Sequence, residues 1–489
     1  MSDTKQIVDR AWSYAHVLRD EGLSYLAYIE QITFLLFLKM VDEIAAVDPA
    51  RAPLIPHQWG WASLVERTGP DLIEHYERVL DRLSRQPGML GAIFRKPRPE
   101  IENPRTLRRL IVDLVGSETW SALAADVKGD VYEGLLARTA SESPKGAGQY
   151  FTPRGLISAI VDCVRPTVKD SVCDPAAGTG GFLLAALEVA KAQAQAPALD
   201  AAALAHLRTD FVHGWELVPN TARLCIMNLF LHGVDVDPPP IRVGADALAE
   251  MPGRRFSVVL TNPPFGTKGT ARGPEEDDTP SLPSAQSRPD LVITTSNKQL
   301  NFLQHAVSML EDGGRCAIVV PDNVLFEGGA GEAVRRQLLK SCHVHTLLRL
   351  PPGIFYAQGV KANVLFFDKR GSAPDDALWV YDLRTAKHFT LRQRPIQRSD
   401  FDEFVDLYAD GSEAARRRRA AGAASDRWRA YSHQSLLQRE KINLDLSWLR
   451  EEFASASEAS LAAPAEIADS IAADLRAALE RFDAVARRL

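Results

Sequence analysis

Cysteine is scarce in this 489-residue chain: five thiols, at Cys163, Cys173, Cys225, Cys316 and Cys342, with no CxxC pair. An odd, scattered set reads as reduced intracellular thiols rather than a disulfide frame, and it argues against a structural zinc site. Long apolar runs are missing too. The longest, Ile32 to Leu38, falls far short of the roughly 20 residues that span a bilayer. The polar start MSDTKQIVDR lacks a signal-peptide pattern, so a soluble cytoplasmic protein with no membrane partner is expected. Positive charge is not in excess: 57 Lys and Arg stand against 63 Asp and Glu, a net charge of −6. A protein that grips nucleic acid by bulk charge should be basic, so any such contact here needs a local patch or a partner. Neither GxGxxG nor GxxxxGK[ST] occurs, so dinucleotide and P-loop readings fit poorly. No helix-turn-helix, finger, nuclease-type acidic cluster or solenoid-period repeat is evident.

What remains is ordinary globular composition, 46% hydrophobic and 25% charged, in a chain long enough for two or three domains. Up to residue 145 the pattern is helical. Leu23, Leu26, Tyr28, Ile29, Ile32, Leu35 and Leu36 recur at three- and four-residue steps, and residues 71–84 and 106–115 repeat the pattern. Residues 146–385 change texture. Short apolar runs end in Gly, Pro, Asp or Asn, and helical stretches lie between them, which predicts an α/β unit with a mostly parallel sheet. Residues 267–299 read as a polar loop, mobile or ordered by a ligand or partner. Residues 386–489 read as a helical region for subunit assembly. Ile467, Ile471, Leu475, Leu479 and Phe482 mark one face of a terminal helix there, fit for core or for another subunit. Arg416–Arg419, with Arg427 and Arg429 around Trp428, suit phosphate, an acidic partner or a solvated face equally.

Chemistry concentrates at strand ends, where α/β sheets bind ligands. Asp174-Pro-Ala-Ala-Gly178-Thr179-Gly180-Gly181 follows a short strand and opens a helix. Its glycines permit special torsions and close backbone approach to a ligand, and the helix N-terminus favours an anionic group. Glu216 ends the next strand-like run and suits a pair of ribose hydroxyls. Asp246 follows another short strand and suits an exocyclic amine. Together they describe a nucleoside-shaped site with an anionic tail. Asn262-Pro263-Pro264-Phe265 follows the apolar run Phe256–Leu260. Two prolines stiffen the turn and remove N–H donors, so the Asn262 side chain and the Pro263 carbonyl present acceptors to an –NH₂ group. Phe265 offers a flat surface to a ring. Such a turn recognises an amine, whether of a base or of a side-chain amide.

The glycine loop and the Asn-Pro-Pro-Phe turn resemble the motifs of S-adenosylmethionine-dependent N6-adenine DNA methyltransferases. The likeness narrows further. Tyr132–Leu136, Gly148–Arg154, Thr295–Phe302, Leu350–Phe355 with Gly359–Asn363, and Ile442–Asp445 together resemble the modification (M) subunit of type I restriction–modification systems. That resemblance implies a Rossmann-like S-adenosylmethionine-dependent methyltransferase domain between an N-terminal helical domain and C-terminal helices. It implies that Gln149, Tyr150, Phe151, Thr152, Pro153 and Arg154 line the cofactor together with Asp174 and Gly178. Thr179, Gly180 and Gly181 would hold its methionine end, Glu216 its ribose and Asp246 its adenine. Asn262 and Pro263 would accept from the target amine on the turn that Pro264 stiffens, with Phe265 stacking on a flipped-out adenine and Phe355 pressing its other face. The resemblance implies no metal, since a sulfonium leaves as a neutral thioether. It implies DNA as substrate, a separate specificity (S) subunit with two M per S, and a restriction (R) subunit in the full complex. Three other readings stay open on the residues alone: a glutamine amide, the amine of an RNA guanine, or a catalytically dead scaffold.

Overall fold

The computed structural model describes residues 13–14, 25–47, 55–120, 152–194, 201–265, 288–355, 360–371, 373, 376–384, 389, 394–408, 413–422 and 426–449. The chain divides into two compact units, Met1–Asp445 and Leu446–Leu489. Of the second, 446–449 are described, so the terminal stripe from Ile467 to Phe482 lies outside the described residues.

Helix α1, Tyr25–Val47, carries the first apolar repeat. It does not bury one face alone. Tyr28, Ile32, Leu35 and Leu36 are buried as expected, but Phe34, Phe37, Leu38 and Met40 are buried too. A helix that is apolar all round becomes an interior element. Phe34 and Phe37 pack on Phe94, with ring centroids 5.2 and 5.6 Å apart, and Phe37 also meets Phe230 at 5.5 Å. Of its two buried polar residues, Gln31 and Thr33, Gln31 donates to the Arg98 carbonyl at 2.6 Å and accepts from the Tyr76 hydroxyl at 3.0 Å. Leu23 and the side chains of Leu26 and Ile29 lie outside the description. Helix α2, Gly69–Ser84, buries Leu72, Tyr76, Val79, Leu80 and Leu83 at the predicted spacing.

The α/β part is one nine-stranded sheet. Its strands are β1 Val172–Asp174, β2 Val212–Glu216, β3 Ile241–Val243, β4 Phe256–Thr261, β5 Leu310–Pro321, β6 His343–Arg349, β7 Ala362–Asp368, β8 Ala377–Asp382 and β9 Trp428–Ser432. They lie in the order β3-β2-β1-β4-β5-β7-β6-β8-β9. Strands β1 to β6 and β8 share one direction, whereas β7 runs antiparallel between β5 and β6. That reversal brings the connection between β6 and β7, with Leu350–Phe355, to the carboxyl edge where β1, β2 and β4 also end. Four helices frame this edge: α3 Arg154–Val164, α4 Gly181–Ala194, α5 Pro219–Leu231 and α6 Lys298–Met309. Arg223 of α5 pairs with Glu30 of α1 and donates to the Arg95 carbonyl at 2.8 Å. The N-terminal helices and the sheet lie in one compact unit, Met1–Asp445.

Three further expectations change. The sheet does not stop at residue 385. Trp428–Ser432 pairs antiparallel with β8, so the region assigned to helices alone contributes an edge strand. Trp428 favours it: this residue stacks diagonally across the strand pair on Trp379 at 5.3 Å. Arg416 is not a surface charge. It is fully buried, with its guanidinium 5.6 Å from the Tyr408 ring centroid, whereas Arg417 and Arg418 on the same helix are exposed. Finally, the polar stretch 267–299 is anchored well before its end. Arg288 is 1% exposed, donates to the Leu248 carbonyl at 2.7 Å and clasps Asp290 through two bonds of 2.8 Å. A guanidinium so fully partnered can be buried, and from there the chain is an ordered approach to α6.

Candidate active site

Strand β1 ends on Asp174, and the chain must turn sharply to enter α4. Gly178 and Gly180 take φ of +56° and +90°, torsions that L side chains rarely adopt. Space is short as well: a Cβ on Gly180 would lie 2.9 Å from Cys225 Sγ. Asn228 of α5 donates to the Thr179 carbonyl at 3.1 Å, and Gly180 N–H donates to the Ala177 carbonyl at 2.8 Å. The loop is therefore held from outside and from within.

Two buried carboxyls face this loop. Asp174 accepts from Thr261 Oγ1 at 2.7 Å and from Ala176 N–H at 2.9 Å. Burial pushes its carboxyl up to about 7, with the charge of Glu216 adding to the rise against those hydrogen bonds. Glu216 accepts from Gly178 N–H at 2.9 Å and Val218 N–H at 2.8 Å, so it ties the second strand end to the glycine loop. Burial also raises its carboxyl above the ordinary range. Asp246 is different. It is exposed, three residues past β3, and accepts from Leu248 N–H at 2.9 Å. Gly244 N–H donates to the Glu216 carbonyl at 2.8 Å, which joins the second and third strand ends.

One strand over on the other side, β4 delivers Asn262. Its amide nitrogen donates to Thr152 Oγ1 at 2.8 Å. Its carbonyl oxygen, Oδ1, is buried with no hydrogen-bond partner. A buried acceptor left unpaired costs free energy, and such a group calls for an explanation, a water or a ligand among them. Pro263 is buried, Pro264 exposed and Phe265 half-buried. Phe265 meets Phe355 edge to face, with centroids 5.4 Å apart and planes at 78°. The structure thus brings together the two aromatic residues that the sequence left far apart, and sets them against one another.

Of the remaining predicted residues, Pro153 and Arg154 open α3, with the Pro153 carbonyl accepting from Leu156 and Ile157 N–H at 3.0 Å. A Cβ on Gly181 would lie 2.8 Å from Ile157 Cδ1, so α3 and the glycine loop are in close contact. Gln149, Tyr150 and Phe151 lie outside the described residues, as does Tyr132–Leu136. Among the described residues, no group of three or more His, Cys, Asp or Glu side chains is placed to hold a metal ion, and no helix is long and apolar enough to cross a membrane.

Sequence reasoning missed three supports. Thr261 holds Asp174, Asn228 holds the glycine loop, and Gln299 donates to the Pro264 carbonyl at 3.5 Å. Gln299 stood inside a quoted motif without a role, and the fold supplies one. Asn297 caps α6 by accepting from Gln299 and Leu300 N–H, and Asn301 donates to the Thr295 carbonyl at 2.9 Å. Thr295–Phe302 is therefore a capped helix start aimed at the Asn-Pro-Pro turn.

The chain resembles known proteins along its whole length. The N-6 DNA Methylase family matches residues 123–434, and the HsdM N-terminal domain family matches residues 7–114. The StySJI type I restriction enzyme methylase subunit of Salmonella typhimurium is 36% identical over 100% of this chain and 96% of its own length. The EcoKI M protein in its crystal structure is 32% identical, with a TM-score of 0.51 over 91% of this chain and 89% of that one. A chain from a study of complex assembly in the type I restriction–modification system is 27% identical, with a TM-score of 0.68 over 98% of this chain and 99% of that one. These matches set aside a glutamine or RNA-guanine methyltransferase. The chain belongs to the N-6 DNA methylase family as a type I restriction enzyme methylase subunit.

Proposed function

We propose that this chain transfers the methyl group of S-adenosylmethionine to the N6 amine of an adenine in DNA, as the modification subunit of a type I restriction–modification complex. The observation that carries the reading is the unpartnered, buried Oδ1 of Asn262 on a proline-stiffened turn one strand from the glycine loop. The residues present fit the cofactor. The left-handed torsions of Gly178 and Gly180 keep the loop free of side chains, and the carboxyls of Asp174 and Glu216 bond to its backbone N–H groups, which supports a cationic nucleoside beside it. Pro153, Arg154, Asp174 and Gly178 to Gly181 would hold it, with Glu216 at the ribose and Asp246 at the adenine. When bound, the cofactor supplies a sulfonium methyl that a nitrogen lone pair can take as a neutral thioether leaves.

Every other step belongs to this chain. The amine lone pair of adenine is delocalised into the ring and is a poor nucleophile. Asn262 Oδ1 and the Pro263 carbonyl accept from its two N–H bonds, which favours a pyramidal nitrogen with a free lone pair. Phe265 gives the extruded base a surface to stack on, and extrusion is required because the amine is out of reach inside a duplex. A net charge of −6 and the lack of a base-reading motif support an enzyme that takes its target sequence from a specificity subunit. Two M subunits per S, with a restriction subunit in the full complex, complete the assignment.

The test is transfer of label from S-adenosylmethionine to DNA, by the chain alone and by the chain assembled with its specificity subunit. Label on adenine N6 with both subunits, and little with one, is expected. No label with both, despite cofactor binding, overturns the reading.

Asp174 adds a pH prediction. Its carboxyl sits up at about 7 before a cation arrives, and a cation favours the ionised form. Binding therefore releases a proton, and affinity weakens as pH falls, by up to about tenfold per unit once Asp174 is protonated. Calorimetric titration of the cofactor between pH 5.5 and 7 should show this slope, and Asp174→Asn should flatten it. A flat profile for the parent would remove Asp174 from the cofactor site.

A further inference from the structure

We propose that Thr152 is a positioning residue for methyl transfer: its hydroxyl oxygen accepts from the Asn262 amide nitrogen and thereby satisfies the donating end of that amide while Oδ1 meets the target amine. The inference rests on the acceptor role given to Asn262 above. An asparagine amide has two nearly isosteric ends, one accepting and one donating, and its last torsion is broad and roughly two-fold. Turned one way, Asn262 offers Oδ1 to an amine. Turned the other way, it offers N–H to N–H and opposes the reaction. The flanking backbone does not settle this choice. Thr261 is locked to Asp174, and two prolines follow, so the turn is rigid while the amide at its tip remains free to rotate.

The structure pairs the donating end, through the 2.8 Å bond from Asn262 Nδ2 to Thr152 Oγ1. Oδ1 is left buried and unpartnered. Thr152 is itself well held. It precedes Pro153, which restricts it to extended backbone, and the helix that follows is seated tightly. A Cβ on Gly155 would lie 2.6 Å from the Gln397 carbonyl carbon, and Arg398 Nε donates to Asp162 Oδ2 at 2.5 Å. A residue 110 positions away in sequence thus holds the donating end of the amide from a fixed support.

The experiment uses the chain assembled with its specificity subunit. Thr152→Val keeps shape and removes the hydroxyl. It should lower kcat by about three- to tenfold, the preference that one hydrogen bond confers. The cofactor Kd from calorimetry should stay within about twofold of the parent, and Thr152→Ser should restore kcat. The decisive comparison is made in an Asn262→Ala background, by single-turnover transfer of label. A residue acting only through Asn262 has nothing left to position, so adding Thr152→Val should cost no more than about twofold. Equal losses in both backgrounds, or a weaker cofactor Kd with kcat unchanged, would overturn the proposal and leave Thr152 as a cofactor contact. Parent-like activity of Asn262→Ala alone would instead overturn the role of Asn262.

Discussion

Replacing Asn262 by alanine should cut methyl transfer by about 10²- to 10³-fold in kcat, the usual cost of deleting one fixed polar group at a reacting centre. Cofactor affinity should stay near that of the parent, because the glycine loop, Asp174 and Glu216 are untouched. Stability should hold or rise. The parent buries Oδ1 without a partner, which is unfavourable, and alanine removes that atom along with the bond to Thr152. The two prolines that shape the turn remain. Activity and thermal stability should therefore move independently, the pattern expected where function is held at a cost to folding. Kinetics, cofactor calorimetry and a thermal midpoint on one preparation would show it. A variant that loses activity only because it melts earlier would place Asn262 in the scaffold instead.

The largest structural effect is expected at Arg349, which is fully buried at the end of β6. Its Nε donates to Asn363 Oδ1 at 3.2 Å, and Nη2 pairs with Asp445 and lies 3.6 Å from Asp322. Asn363 Nδ2 donates to Asp322 Oδ1 at 2.7 Å. One guanidinium thus joins the end of β5, the start of β7 and the Ile442–Asp445 segment. Arg349→Ala would take this partner from Asp322 and Asp445, which are 20% and 34% exposed, and from the Asn363 amide oxygen, a loss of about 1.5–3 kcal/mol for hydrogen bonding to a charged group. Arg349→Lys keeps the charge but not the planar fork, so it should fall between. Both should lower the thermal midpoint in that order. The loss should reach catalysis too, because Leu350 follows directly and leads to Phe355. A midpoint unchanged in Arg349→Ala would show that the network is dispensable.

Much of the site could be read before any fold was known, and the reason is locality. A glycine loop after a short strand, an acid at a strand end and a proline-stiffened turn are each written within eight residues, because torsional freedom and missing N–H donors are properties of neighbouring residues. Helix α2 was readable for the same reason: its apolar spacing is a local record of which face is buried. The periodicity of α1 misled in one respect. It showed where the helix lies, but a stripe cannot reveal that neighbours from α5 and Phe94 cover the other side. β9 escaped because a single edge strand beside Ala- and Arg-rich helices leaves almost no pattern of its own.

The residue chemistry therefore came from the sequence, as did the family that this chemistry resembles. Tertiary structure alone decided how the parts act on one another. Thr152 meets Asn262, Thr261 meets Asp174, Arg288 reaches the Leu248 carbonyl, and Arg349 gathers Asp322, Asn363 and Asp445. The Arg349 cluster depends on β7 running backwards between β5 and β6, and the Thr261–Asp174 pair on β4 lying beside β1. Hydrogen bonds and ion pairs act over about 3 Å, and no local pattern records which distant residues the sheet will place at that distance.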